Sequence, residues 1–389
     1  MKSGKISFFD KLAAGKFGEY LIPGIVFQSV LIAGGYATGR EVVQYGARFG
    51  ALGYWGAIGI FIGFSIISAL TFELARTFKV YNYRSFAKQI LWKFWPIYEI
   101  LYIAITILVL AIIGSATGNI LNETLGLSYW VGVILVIVVV GILTFYGRGV
   151  IERYKTIGTI LLYAGYITFA VIVLSQTWGH VMHEFAIEDT SYVGPVGIET
   201  VLWIGLLYVG YNSCVEATTL FTLDRQTKRK HAILGGFIAG ALTTIPFILA
   251  YLCILGFYPS EEVLNAPVPW LRMLNKTAGS GIIPLYGLVV AWTFIESGTG
   301  FIHAIIERIN SNLQELGKKS LDRKQNAAIA VGILVFATIL SRIGIIDLVA
   351  RGYTYMAYGF IIFFIIPLVT IGTIRIIKPT WKKEFWAKA

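Results

Sequence analysis

Apolar runs of about 20 residues or more, broken by short clusters of charged residues, proline or glycine, recur from near the start of the chain almost to its end. Ten are distinguishable: 21–48, 51–76, 96–121, 128–147, 154–176, 197–222, 231–257, 281–308, 326–342 and 347–376. Most match the roughly 20 residues needed to cross a bilayer's hydrocarbon core, so the pattern predicts ten membrane-spanning helices joined by short connections.

Lysine and arginine test that count. The N-terminal tail, 76–93, 148–155, 225–230, 308–324 and the tail from Arg375 hold 26 of the 32 basic residues. The alternate connections hold only Arg40, Arg48, Arg272, Lys276, Arg342 and Arg351. This bias predicts both termini in the cytoplasm of a cell-membrane protein. One span more or fewer would invert every later connection and destroy the asymmetry. Ten spans divide as five plus five, and an odd unit repeated must re-enter from the opposite face, an inverted-topology repeat. The expected layout is a cytoplasmic tail over 1–20, one five-helix unit over 21–176, an outward loop over 177–196, a second unit over 197–376 and a cytoplasmic tail over 377–389.

The first and sixth spans carry glycine-rich interruptions: Gly34-Gly35-Tyr36-Ala37-Thr38-Gly39, and Val209-Gly210-Tyr211-Asn212-Ser213. Broken helices at matching positions of two halves are the best sequence pointer to the binding site of a secondary transporter. Unwinding frees carbonyls at the end of one half-helix and amides at the start of the next, and both need partners at membrane depth. The amides of Thr38, Gly39 and Arg40 are expected to face an anionic group. The carbonyls around Ala33, Gly34 and Tyr36 are expected to face a cation, and the sixth span offers the inverted arrangement, with carbonyls near Tyr208 and Val209 ahead of a second half-helix that carries Glu216. Gly35 and Gly210 supply backbone access, Asn212 both donates and accepts, and Tyr36, Tyr208 and Tyr211 supply flat walls with a polar tip. The competing explanation is that such glycines only permit close packing, as expected of Gly59 and Gly63.

Composition agrees: 57% of the 389 residues are hydrophobic and 14% charged, with mean hydropathy +0.73, against roughly 25% charged in soluble domains. A net charge of +11 spread over alternate connections indicates the membrane rather than nucleic acid. The N-terminus shows no cleavable signal pattern, and Cys214 and Cys253, both in apolar segments, point to packing.

Ionisable residues inside spans are functional candidates because their burial is costly. Glu41, Glu216 and Glu296 qualify; Glu296, Gly300, His303 and Glu307 share one helical face and form a candidate vestibule or proton relay. Glu41 has the alternative of pairing with Arg40 or a neighbouring helix, and Glu307 of reaching the interface beside Arg308. Glu73 beside Arg76, and Glu99, are expected at the interface. His180 and His183 fall in an acidic connection that lacks further spaced metal ligands, so no metal centre is expected there.

The segment Ile32-Ala33-Gly34-Gly35-Tyr36-Ala37-Thr38-Gly39-Arg40-Glu41, with Gln44, Gly50, Gly53 and Tyr54 following, resembles the first helix of the bacterial YkvI-like membrane protein family, itself similar to the amino acid, polyamine and organocation (APC) transporter superfamily. Leu207-Tyr208-Val209-Gly210-Tyr211-Asn212 matches the sixth-helix pattern, and Ser297-Gly298-Thr299-Gly300 with Glu307-Arg308 the eighth. The resemblance implies an all-α LeuT-type fold with discontinuous first and sixth helices. It implies substrate between the first, third, sixth and eighth helices. In sodium-coupled relatives the ion lies between first-helix carbonyls and eighth-helix hydroxyls, which maps here to Ala33, Gly34 and Ala37 with Ser297 and Thr299. Some proton-coupled relatives use a fifth-helix lysine, and here Lys155 lies only at that span's start.

The expectation is a non-enzymatic secondary transporter of a small organic solute, an amino acid or related amine, coupled to Na+ or H+, with no other cofactor and with lipid as its surroundings. A non-transporting sensor on the same scaffold and a passive channel are the alternatives.

Overall fold

A computed structural model of the chain describes residues 15–32, 34–146, 148–279, 281–343 and 345–387. All regular structure among these is helical. Eight helices are long and apolar enough to cross a membrane: Ala47–Phe78, Tyr83–Glu123, Thr156–Ile187, Ile198–Arg225, Arg229–Leu255, Ile282–Glu315, Arg323–Leu340 and Ile345–Ile377. Two shorter apolar helices, Ile22–Leu31 and Tyr129–Phe145, occupy the places of the first and fourth predicted spans.

The surface is apolar as well as the interior. Ile58, Ile62 and Ile66 of the second span, four residues apart, are exposed, as are Ile134, Val138 and Ile142 of the fourth. A ridge of branched side chains facing outward is unfavourable in water and suits lipid. Inside, small residues let backbones approach. Gly236 and Gly240 of the seventh span face Ala69 and Ser65 of the second so closely that an added Cβ would lie 2.3 Å from the Ala69 nitrogen or the Ser65 hydroxyl. Gly63 meets Val209 of the sixth span in the same way, at 2.8 Å. Packing therefore explains Gly63, as expected.

Helix ends follow ordinary capping chemistry. Asn82 accepts the Ser85 amide at 2.9 Å, and Asp322 with Gln325 forms a capping box. Gly50, at φ +55°, sits where a Cβ would overlap the Asp189 carbonyl, so the turn into the second span requires glycine.

Two connections differ from expectation. The fifth helix continues to Ile187, so 177–187 is helix and only the remainder of 177–196 is loop. Its extra turns are amphipathic, with Val181 and Glu184 buried between exposed neighbours. Between the seventh and eighth spans, Pro269–Thr277 forms a helix whose apolar face, Trp270, Leu271, Met273 and Leu274, is buried. Proline at its first position is pre-set for a helix start.

Candidate functional site

The first span breaks where its glycines predict. Helix Ile22–Leu31 ends as Ile32 turns to ψ 72°, a single turn Gly34–Ala37 follows, and Gly39 at φ +87° redirects the chain into Arg40–Tyr45. Every donor and acceptor freed by the break has to be met, because no water is available in hydrocarbon. Tyrosines meet several of them. The Ala37 carbonyl accepts from Tyr166 of the fifth span and Tyr286 of the eighth, each at 3.1 Å. The Tyr36 hydroxyl donates to the Thr243 carbonyl of the seventh span at 2.9 Å. The Thr38 hydroxyl donates to the Gly35 carbonyl at 2.9 Å, and the Gly39 amide to the Tyr36 carbonyl at 2.9 Å.

The short helix Pro269–Thr277 covers this break. The Trp270 amide donates to the Thr38 carbonyl at 3.2 Å, while its ring packs edge-on against Tyr166, centroids 5.5 Å apart. Gly39 lies under Pro269 and Trp270, where a Cβ would stand 3.3 Å from each. Arg40 is not free to bind an anion: its guanidinium donates to the Leu264 carbonyl at 2.5 Å and to Ala266 at 3.4 Å, and its amide faces the Thr38 hydroxyl. Of the amides expected to face an anionic group, those of Gly39 and Arg40 are taken by protein acceptors in this structure.

Glu41 lies one residue beyond, 1% exposed. Its Oε2 accepts from the Tyr211 hydroxyl of the sixth span at 2.6 Å, and the buried Tyr208 hydroxyl has no hydrogen-bond partner. Gly35 leaves room for the carboxylate; a Cβ there would be 2.5 Å from Oε1. Tyr45, Tyr208 and Tyr211 form a triangle of rings with centroids 5.3, 5.5 and 5.6 Å apart, and Tyr353 of the tenth span stacks on Tyr211 at 4.1 Å. Among the described residues no lysine, arginine or histidine pairs with Glu41. Tyr45 follows it by four residues and so shares its helical face.

The sixth span is interrupted at the predicted place, but by a change of winding rather than by unwound backbone. Helix Ile198–Asn212 passes into a 3-10 turn at Ser213–Val215, then α-helix at Glu216–Thr219, with right-handed helical torsions throughout. The Asn212 side-chain amide donates to the Tyr208 carbonyl at 3.1 Å and the Ser213 amide caps the Val209 carbonyl. Asn212 thus turns back on its own helix. Gly210 packs on the tenth span, where a Cβ would be 3.0 Å from Ile361. Glu216, buried, accepts from Ser68 of the second span at 2.6 Å.

The hydroxyls and the Ala37 carbonyl assigned to a cation have protein partners in this structure. Ser297 donates to the first-span carbonyl of Ser29 at 3.2 Å, Thr299 donates to Ile295 of its own helix, and the Ala37 carbonyl is held by the two tyrosines. Ala33 lies outside the described residues. Gly34 begins the short turn. Glu296 packs against Gly158 of the fifth span and shares its buried face with Gly300 and His303. Glu73 pairs with Arg76 and Glu99 with Arg308. His180 contacts the Tyr258 carbonyl and Glu184, and no group of three metal-ligating side chains occurs among the described residues.

The residues that sequence reasoning missed are Tyr45, Tyr166, Tyr286, Tyr353 and Trp270. Only Tyr45 carried a signal, its spacing from Glu41. The others are aromatic residues in apolar segments, indistinguishable in a chain with 22 tyrosines from interfacial anchors.

A buried, interrupted first span enclosed by helical spans defines a class. The structure superposes on the crystal structure of MhsT in complex with L-phenylalanine with a TM-score of 0.63 and 15% identity, covering 96% of this chain and 91% of that one. That match shows an all-α membrane fold of the LeuT type. A Na+-coupled sialic acid symporter superposes over 90% of this chain and 87% of its own, at 15% identity and a TM-score of 0.49. In sequence, the chain is 22% identical over 338 residues to "Uncharacterized membrane protein YkvI" of Bacillus subtilis (strain 168), covering 86% of this chain and 90% of that protein. No family model matches the chain.

Proposed function

We propose that this membrane protein is a secondary active transporter of a small organic solute, an amino acid or related amine, working by alternating access in the cell membrane with both termini cytoplasmic. The observation that carries the reading is the buried carboxylate of Glu41, held by tyrosine at the point where the first span unwinds. Irregular backbone at membrane depth is tolerated where it is enclosed by protein or lines a cavity. Here it is enclosed on one side by the Trp270 helix and flanked by the sixth span. The two five-helix units, 21–176 and 197–376, would be the inverted repeats whose relative rocking opens this centre to either side. The MhsT structure, solved in complex with L-phenylalanine, supports a small amphipathic solute.

For coupling, protons are favoured over sodium. The Ala37 carbonyl and Thr299 hydroxyl are spent on protein partners. Glu216, by contrast, is a buried carboxylate whose Oε1 accepts from the neutral Ser68 hydroxyl and whose Oε2 has no hydrogen-bond partner. A carried proton neutralises such a group without the burial cost of a charge.

Reconstituted proteoliposomes test both readings. Uptake of a radiolabelled amine or amino acid driven by an imposed pH gradient, and lost in Glu216→Gln, is expected. Saturable binding without uptake under any gradient would instead make the protein a sensor. Uptake that needs sodium and survives Glu216→Gln would overturn proton coupling.

A further inference from the structure

The two halves expected of a zwitterion site are unequally present. A carboxylate-binding half would need free amides or a free guanidinium. The Gly39 amide, the Arg40 amide and the Arg40 guanidinium already face protein oxygens. Arg48 lies beyond that half-helix, past the Gly46 cap and in the 3-10 turn Ala47–Leu52, where its guanidinium sits 5.1 Å from the Phe49 ring centroid and its buried Nε has no hydrogen-bond partner, so it belongs to the next segment rather than to the break. The cation-binding half is built. Glu41 is a fully enclosed carboxylate that accepts from the Tyr211 hydroxyl, placed beside the ring triangle of Tyr45, Tyr208 and Tyr211 and the stacked Tyr353. Ammonium groups are attracted to tyrosine faces as well as to carboxylate, and both attractions strengthen away from water.

We propose that the transported solute is an organic cation, a small amine whose ammonium is held by Glu41 and the surrounding tyrosine rings, with no carboxylate of its own recognised. The assignment rests on the transport reading and narrows it. The three rings are in contact, so the ammonium enters by parting them, and Tyr211, hydrogen-bonded to Glu41, reports its arrival. Gly35 belongs to the same device, since its missing Cβ is what lets the carboxylate fold back beside the rings.

The test uses the full-length protein purified in detergent and matched ligand series: phenethylamine, phenylalanine and 3-phenylpropionate, then isopentylamine, leucine and 4-methylpentanoate. Thermal unfolding is followed as each is titrated at neutral pH. Saturable stabilisation by the amines, at least tenfold weaker or no binding of the amino acids, and none by the acids is expected. In Glu41→Gln, the amine affinity falls at least tenfold. Because that variant alters a packed site, its monodispersity is checked, and Tyr211→Phe, which keeps ring and carboxylate, is expected to bind amines with a changed affinity. Binding of amino acids without amines overturns the cation assignment and leaves transport standing, as does amine binding undiminished in Glu41→Gln. Failure of every compound to bind, with no uptake of any in proteoliposomes, overturns both.

Discussion

Arg40 distinguishes a latch from a ligand-binding group. It lies on the second half of the first span, 6% exposed, and its guanidinium reaches the Leu264 and Ala266 carbonyls in the connection that carries the Trp270 helix. Opening that face must separate the two segments. The bond to Leu264, at 2.5 Å, has a charged donor, for which net contributions of about 1.5–3 kcal/mol are typical. The contact to Ala266, at 3.4 Å, adds little. Arg40→Ala therefore removes about 2 kcal/mol from the closed arrangement alone, and at roughly 1.4 kcal/mol per factor of ten the open population rises about 30-fold. Accessibility measures this directly. With the buried native cysteines Cys214 and Cys253 replaced by alanine, Val42→Cys, itself buried beside the break, becomes the reporter. Its reaction with a maleimide in detergent is expected to accelerate about 30-fold when Arg40→Ala is added. Unchanged labelling together with complete loss of solute binding would refute the latch and return Arg40 to the role of anion ligand.

The other predictions concern the break and its frame. Gly35→Ala places a methyl 2.5 Å from the Glu41 carboxylate; amine binding falls at least tenfold in a titration, with helical content by circular dichroism unchanged. Tyr166→Phe and Tyr286→Phe each remove one of two donors to the Ala37 carbonyl and cost about 1 kcal/mol singly. The double variant costs more than their sum because it orphans a buried acceptor, which a thermal-unfolding mutant cycle detects. Gly240→Leu drives a side chain into Ser65 of the second span. Overpacking of this kind costs about 1–3 kcal/mol or more, so the variant should fail to give a monodisperse peak on size exclusion, whereas Gly332→Leu, with open space around it, should not.

The spans, the break in the first of them and the packing role of Gly63 were legible in sequence because each follows from local chemistry: apolar length, backbone freedom and helix contact. The state of the sixth span was not. Gly210 and Asn212 look like unwinding residues, yet Gly210 is used to approach Ile361 and Asn212 caps a carbonyl of its own helix. Which use prevails depends on what packs opposite, and that is a tertiary fact. Arg40 misled for the same reason, since a buried guanidinium takes any acceptor within reach and the nearest ones lie 224 and 226 residues away in the chain. The extra turns of the fifth helix and the Trp270 helix are amphipathic segments outside the apolar runs, where a membrane-based count has nothing to read.

The choice of partners at the break bears on how it could move. A carbonyl held by backbone amides of its own helix is released only by melting that helix, whereas one held by side-chain hydroxyls is released when the side chains move. The Ala37 carbonyl depends on hydroxyls from the fifth and eighth spans, and the Tyr36 hydroxyl on a carbonyl of the seventh. Three neighbouring spans thus grip the first at neutral contacts, each worth about 1 kcal/mol. No ion pair, with its larger cost of separation in low dielectric, is involved at these points. A first span held this way can be exchanged between partners in steps no larger than the binding energy of a single small solute.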